Sequence, residues 1–260
     1  MSAILRVEDV GVAFGGLTAL RNVSFHVDRS EIASVIGPNG AGKTTLFNVI
    51  TGFRKPTTGR VTFEEQAVTG LPPNAIARRG VVRTFQKTEV FPALTLIECV
   101  RMGALCHRRF SVVDVLVRSA GVREFERVAT ARARELLAFV GLGGREEQRA
   151  RALSYGEQRL LEVAVCLAAD PRLLLLDEPA AGLNPDEAQE LGRLIGRLRD
   201  NAVSVLLVEH NMALVMDVSD RIVVLHHGEK IAEGVPDDVA QDRNVVEAYL
   251  GSGWSGRAAH

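Results

Sequence analysis

Aromatic residues are scarce in this chain of 260 residues, at 5%, with one Trp and two Tyr, and cysteine occurs only three times. Cys99, Cys106 and Cys166 stand apart among apolar neighbours, a setting that suits small buried side chains better than disulfides or a metal site. A run of 18 apolar residues is missing, so no membrane-spanning helix is expected. The start, Met1-Ser2-Ala3-Ile4, lacks a charged-then-apolar leader, and a soluble, cytoplasmic chain is expected. Neither sign of charge is in excess: 31 Lys and Arg face 32 Asp and Glu, for a net charge of -1 and a pI of about 6.6. These totals announce no basic face, and nucleic acid is not an expected partner. Internal repeats and low-complexity linkers are also missing. What remains is a chain with 47% apolar residues, enough for the core of one large or two small domains.

Against that background one motif stands out. Gly37-Pro38-Asn39-Gly40-Ala41-Gly42-Lys43-Thr44 spells G-x-x-x-x-G-K-[ST] between an apolar strand pattern, Ile32-Ala33-Ser34-Val35-Ile36, and a helical one. Glycines at 37, 40 and 42 let the backbone curl so that successive N–H groups point at phosphate oxygens, and the helix that follows adds its positive N-terminal end. Lys43 is expected to reach the β- and γ-phosphates of ATP, and the Thr44 hydroxyl to hold Mg²⁺, which prefers oxygen ligands. A second element, Leu173-Leu174-Leu175-Leu176-Asp177-Glu178, reads as a buried parallel strand that ends in two carboxylates. Ligands of open α/β sheets lie at the carboxyl ends of strands. Asp177 is then placed to hold Mg²⁺ through water, and Glu178 to take a proton from an attacking water.

A third element, Leu153-Ser154-Tyr155-Gly156-Glu157-Gln158, opens an apolar helical stretch through Ala168, with Ser154 and Glu157 in the S-x-x-E capping pattern. Together with the phosphate loop and the acidic strand it resembles the signature motif of ATP-binding cassette (ABC) ATPases. The resemblance implies an α/β P-loop fold, a RecA-like core with an antiparallel β subdomain and an α-helical subdomain. It also implies a head-to-tail dimer in which ATP is sandwiched between one chain's phosphate loop and the other's signature. Ser154 and the Gly156 backbone would then meet the γ-phosphate bound to the partner. Tyr155 departs from the commoner Leu-Ser-Gly-Gly-Gln spelling, with Ser154 and Gly156 kept.

Further residues take roles from the same resemblance. Gln86, closing Val82-Arg83-Thr84-Phe85-Gln86, matches the glutamine that senses Mg²⁺ and the attacking water, although alone it says almost nothing. His210, after the apolar strand Val203 to Val208, matches the switch histidine at the γ-phosphate. Gly37 through Thr44, with Thr45, are the expected phosphate contacts. Phe14 matches the aromatic that stacks on adenine, with an edge-strand packing role as the alternative. Gly182-Leu183-Asn184-Pro185 stands where the family has its D-loop, with Asn184 in place of the usual aspartate; asparagine keeps much of the hydrogen-bonding geometry and loses the charge.

The layout divides into an ATP-binding core with a β subdomain, residues 1–90 and 151–250, a helical subdomain, residues 91–150, and a flexible tail, residues 251–260 that carries Trp254. Val23 to Val27 alternates as a strand, while Phe125, Val128, Ala129, Ala133, Leu136, Leu137 and Val140 form a helical stripe ending at Gly141. Arg132 interrupts the stripe and is expected to snorkel. Arg127, Thr130 and Arg134 form the opposite, solvated face. Strand-borne His226 and His227 are expected to point apart, which argues against a metal site.

The resemblance narrows to the ATPases of branched-chain, or hydrophobic, amino-acid importers. It rests on Gly80-Val81-Val82-Arg83-Thr84-Phe85-Gln86, the signature spelling, Glu178-Pro179-Ala180-Ala181-Gly182-Leu183-Asn184-Pro185, and Glu247-Ala248-Tyr249-Leu250-Gly251. Such a motor pairs with a second ATPase chain, a paralogue or a copy of itself, on the inner face of the cell membrane. Two transmembrane permeases and, indirectly, an extracytoplasmic substrate-binding protein complete the assembly. Phe91, Leu94 and Leu96 would suit the groove that receives a permease coupling helix, with burial in the core as the alternative. None of these residues would touch the transported solute, and importers of urea, amides or aromatic acids use similar ATPases. A lipopolysaccharide exporter shares most motifs but not the Gly182-Leu183-Asn184-Pro185 spelling, and a non-transport ABC ATPase would bring a second cassette, coiled-coil insertions or basic arms. P-loop kinases have no use for the signature.

Overall fold

In the computed structural model, residues 2–84, 91–107 and 119–250 are described. Gln86 with its neighbour Phe85, and the tail 251–260 with Trp254, lie outside them. Two sheets organise the chain. Strands β1 (Ala3–Phe14), β2 (Leu17–Asp28), β4 (Thr58–Phe63) and β5 (Gln66–Ala67) form an antiparallel sheet in the order β2-β1-β4-β5. Strands β3 (Ile32–Ile36), β6 (Val81–Arg83), β7 (Leu173–Asp177), β8 (Ser204–Val208), β9 (Arg221–His226) and β10 (Glu229–Gly234) form the second, in the order β10-β9-β3-β8-β7-β6. All its pairings are parallel except β9 with β10.

The central strands are apolar throughout because both faces are covered: every residue of β3, β7 and β8 is buried. Period-two alternation then divides them between two cores. Leu174, Leu176, Val205 and Leu207 face the helices Leu96–Ala104, Ala120–Phe139, Tyr155–Leu167 and Pro185–Asp200. Leu173, Leu175, Leu206 and Val208 face α1 (Lys43–Ile50) and the antiparallel sheet, whose Val23, Phe25 and Val27 supply the opposite wall.

Between β6 and the signature the described residues carry two α-helices, Leu96–Ala104 and Ala120–Phe139, joined to the rest by turns. Leu96–Ala104 starts at a Thr95/Glu98 capping box, which ties two otherwise orphaned amides. The helix Ala120–Phe139 begins earlier than its apolar stripe suggests, because Ser119 accepts a hydrogen bond from the Val122 amide and caps it. Its buried positions are Val122, Ala129, Ala133, Leu136 and Leu137. Val128, expected in the stripe, is exposed, one helical step off that face. Arg132 has no need to snorkel, since it projects outward and pairs with Glu135 at 3.1 Å. Of the three apolar residues suited to a permease contact, Leu96 is fully buried in the core and unavailable, whereas Phe91 is 52% exposed. Among the described residues no helix is long and apolar enough to cross a membrane.

Candidate nucleotide site

The β3 strand ends at Ile36 and the chain turns at Gly37, with φ 150°. A Cβ there would lie 2.1 Å from the Leu225 carbonyl oxygen, and one at Gly42, with φ 105°, would lie 2.6 Å from Leu20 Cδ2. Both positions therefore require glycine. The Ala41 amide donates to Pro38 O at 3.1 Å, and Gly228 on the β9–β10 turn donates to Ala41 O at 3.1 Å, tying the loop to the turn after the neighbouring strand β9. Helix α1 opens without a side-chain cap, so its first amides face the cleft, an arrangement that favours an anion.

Asn39, Gly40, Ala41, Gly42, Lys43, Thr44 and Thr45 line one cleft of about 400 Å³ together with Glu178. Gly37 and Pro38 contribute differently: their carbonyls accept hydrogen bonds from the Lys43 ammonium at 2.6 and 3.1 Å. Burial pushes the Lys43 pKa down, opposed by the nearby Glu178 and Asp177 carboxylates. The cleft is also lined by Leu17, Thr18, Ala19 and His227, none of which stood out from sequence as a ligand contact. His227 is reached because it is not on the strand. Its φ of 47° turns it back, and its ring lies 4.0 Å from that of His226; the two rings do not point apart, because the strand ends between them. Phe14, at the end of β1, is outside the lining of this cleft, is 42% exposed and has the Arg54 guanidinium 4.4 Å over its ring.

Asp177, the last residue of β7, is 1% exposed. Arg83 Nη2 donates to its Oδ2 at 2.6 Å, and its own amide donates to Thr84 Oγ1 at 3.2 Å. The other carboxylate oxygen, Oδ1, is buried with no hydrogen-bond partner among the described residues. Glu178 turns out of the strand with φ 50°, its amide held by Val208 O at 2.8 Å, and its Oε1 lies 2.7 Å from His210 Nε2. Glu209, which sequence reading passed over, organises this corner. Buried at 2% exposure, it accepts from the Ala180 amide through Oε1 and from the His210 and Asn211 amides through Oε2. One carboxylate thus joins the loop after β7 to the loop after β8. The available signal was a carboxylate ending an apolar strand directly before the histidine.

Ser154 and Gly156 are not part of the cleft lining. Ser154 caps the helix Tyr155–Leu167 in a reciprocal box with Glu157, at 3.2 and 2.8 Å. Asn184 does the same for Pro185–Asp200 with Glu187, at 2.9 and 3.0 Å, a task that needs an acceptor oxygen and no charge. The two helix starts abut: a Cβ at Gly156 would lie 2.6 Å from Glu187 Oε1, and one at Gly182 would lie 3.1 Å from the Tyr155 ring. The unusual signature tyrosine therefore rests on the D-loop of its own chain.

Arg145 also binds Glu157. That hydrogen bond, opposed by burial and aided by the Ser154 amide, holds the Glu157 carboxyl below its ordinary value of 4.5. A depressed folded-state pKa contributes stability that is present above the unfolded value and lost as pH falls through the folded one. Melting curves of wild type and Glu157→Gln should accordingly differ most at neutral pH, converge below about pH 4.5 and coincide once the folded carboxyl is protonated. A gap that persisted in acid would remove the carboxylate from the cap's stability.

A phosphate-cradling loop and helix at the carboxyl end of a parallel sheet, with an acidic strand two places along, define a P-loop nucleotide-binding domain. The chain belongs to the ABC transporter ATP-binding family: residues 20–181 match the ABC transporter family, and residues 229–254 match the family described as branched-chain amino acid ATP-binding cassette transporter. It is 44% identical over 249 residues to the high-affinity branched-chain amino acid transport ATP-binding protein LivG of Salmonella typhimurium, covering 95% of this chain and 98% of that one. It is 43% identical over 249 residues to the corresponding protein BraF of Pseudomonas aeruginosa, with the same coverage. Its fold matches the ADP conformation of an ATP-binding cassette of an ABC transporter with a TM-score of 0.85 at 33% identity, covering 96% of this chain and all of that one. The fold is that of an ABC ATPase, and the chain is an ATP-binding subunit.

Proposed function

We propose that this chain is the ATP-hydrolysing motor subunit of an importer of branched-chain or other hydrophobic amino acids. The observation that carries the reading is its 44% identity, over nearly the whole of both chains, to a branched-chain amino acid transport subunit. The cleft is suited to the chemistry. Amides of the loop and the Lys43 ammonium bind the phosphates; Leu17 lines the cleft and pairs across the β1–β2 turn with Phe14, the aromatic proposed for the base, which itself stands outside the lining. The chain's own residues also fit Mg²⁺: Thr44 lines the cleft, and the buried Asp177 Oδ1, without a hydrogen-bond partner among the described residues, is the kind of hard oxygen this ion and its waters engage. With Gln86 as the third member of that set, these residues would hold the ion, which would supply charge neutralisation at the phosphates.

Glu178 accepts the proton of the attacking water, and His210, hydrogen-bonded to it and held by Glu209, orients that carboxylate and contacts the γ-phosphate. Ser154 and Gly156 stand outside the cleft of their own chain, which favours their service to the nucleotide of a second ATPase subunit packed head to tail. Residues 1–90 and 151–250 form the ATP-binding core and 91–150 the helical subdomain, where exposed Phe91 is available to a permease. The assembly comprises two permeases and a second ATPase on the inner face of the membrane, with an extracytoplasmic binding protein delivering solute.

Purification of tagged Glu178→Gln from detergent-solubilised membranes with ATP, followed by mass spectrometry, tests this. Two permeases and a second ATPase are the expected companions; a soluble partner instead would sink the transport reading.

A further inference from the structure

Arg83 lies on β6 in register with Leu175 of β7, and its guanidinium reaches along the sheet to the end of β7. There it makes a divided contact. Nη2 donates to Asp177 Oδ2 at 2.6 Å, while Nη1 turns away and donates to Asn48 Oδ1 at 2.7 Å on α1, over the Phe47 ring at 5.5 Å. Asn48 stands one helical turn beyond Thr44, on the same side of α1. A single buried cation thus joins the acidic strand, the phosphate-loop helix and the strand that runs toward Gln86.

As a stabilising device the arrangement is poor. The pair is almost wholly desolvated, with side chains 9% and 0% exposed, and such pairs seldom recover their desolvation cost compared with apolar packing. Two of their atoms, Arg83 Nε and Asp177 Oδ1, are buried without hydrogen-bond partners among the described residues. An arginine free to bind a carboxylate ordinarily takes both oxygens in a fork. Here Asn48 draws off the second nitrogen, and one carboxylate oxygen is kept for another ligand.

We propose that Arg83 is a positioning residue for the metal half of the nucleotide site. It fixes the Asp177 rotamer from one oxygen and, through Asn48, sets the distance of that carboxylate from Thr44, leaving Oδ1 for Mg²⁺ or its water. The proposal rests on the nucleotide-site reading above.

The test is equilibrium binding of a fluorescent ADP analogue to the intact chain, titrated with Mg²⁺ and repeated in EDTA, so that no turnover is needed. Arg83→Met should raise the Mg²⁺ concentration for half-maximal enhancement by tenfold or more while changing the affinity in EDTA less than twofold. Arg83→Lys, which keeps a charge for Asp177 but cannot also reach Asn48, should recover part of the loss. Unchanged Mg²⁺ dependence in a folded Arg83→Met protein overturns the proposal, as does an equal loss of affinity with and without the metal. Should Arg83→Met fail to fold, Asn48→Ala decides: a threefold or larger shift of the Mg²⁺ midpoint supports the proposal and no shift overturns it. Wild type that bound no nucleotide, or bound it without regard to Mg²⁺, would instead bring down the underlying reading of the site.

Discussion

Replacing Glu178 by Gln should slow ATP hydrolysis by about 10²–10⁴-fold, the usual contribution of a positioned general base, while nucleotide affinity stays close to wild type. The substitution is nearly isosteric, and the backbone at this position is held independently of the side chain, by the hydrogen bond from its amide to Val208 O at 2.8 Å. Glutamine can still pair with His210, which lies 2.7 Å from the present carboxylate, but it cannot accept a proton from water. The contacts proposed for the loop amides, Lys43 and Thr44 should be untouched. Single-turnover phosphate release alongside a nucleotide titration separates the two effects. Hydrolysis near the wild-type rate would remove Glu178 from the role of base, whereas equal losses in both measurements would mean a disturbed cleft.

Changing Lys43 to Ala should act on the other quantity. A hydrogen bond to a charged group contributes about 1.5–3 kcal/mol, so losing the ammonium contact with phosphate should weaken nucleotide binding roughly 10- to 100-fold. The ammonium also donates to Gly37 O and Pro38 O, and its removal leaves those carbonyls short of a donor. Alanine, in turn, is the better helix former at the start of α1. A melting curve run with the titration shows whether the loop itself has loosened. An unchanged affinity in a protein that melts normally would count against Lys43 as a phosphate ligand.

Much of the nucleotide cleft was legible because phosphate recognition by backbone is contiguous in the chain. Glycines with positive φ, a lysine and a hydroxyl must follow one another for a loop to wrap an anion, and Asn39 to Thr45 do line one cleft. The caps at Ser154 and Asn184 were likewise local matters, settled within four residues. Strand patterns were readable where both sides of the sheet are buried, as in β3, β7 and β8. Legibility failed where a side chain's fate depends on what stands opposite. Val128 and Arg132 have the right spacing or the wrong polarity for a core stripe, yet both face outward. His226 and His227 approach because the strand ends between them.

Determined by the sequence alone were the phosphate loop, the acidic strand end, the capped signature helix and the order in which they come, since each is written in neighbouring residues. Tertiary structure decided which distant groups complete them. Arg83 and Asp177 are 94 positions apart, and Ala180 and Glu209 are 29 apart; nothing local in either segment names its partner. A parallel sheet brings strand ends from remote parts of the chain to one edge, and buried polar atoms there must find whatever donor or acceptor the packing supplies. That requirement, and not the spacing of any motif, gave Asp177 its arginine and left its second oxygen without a partner among the described residues.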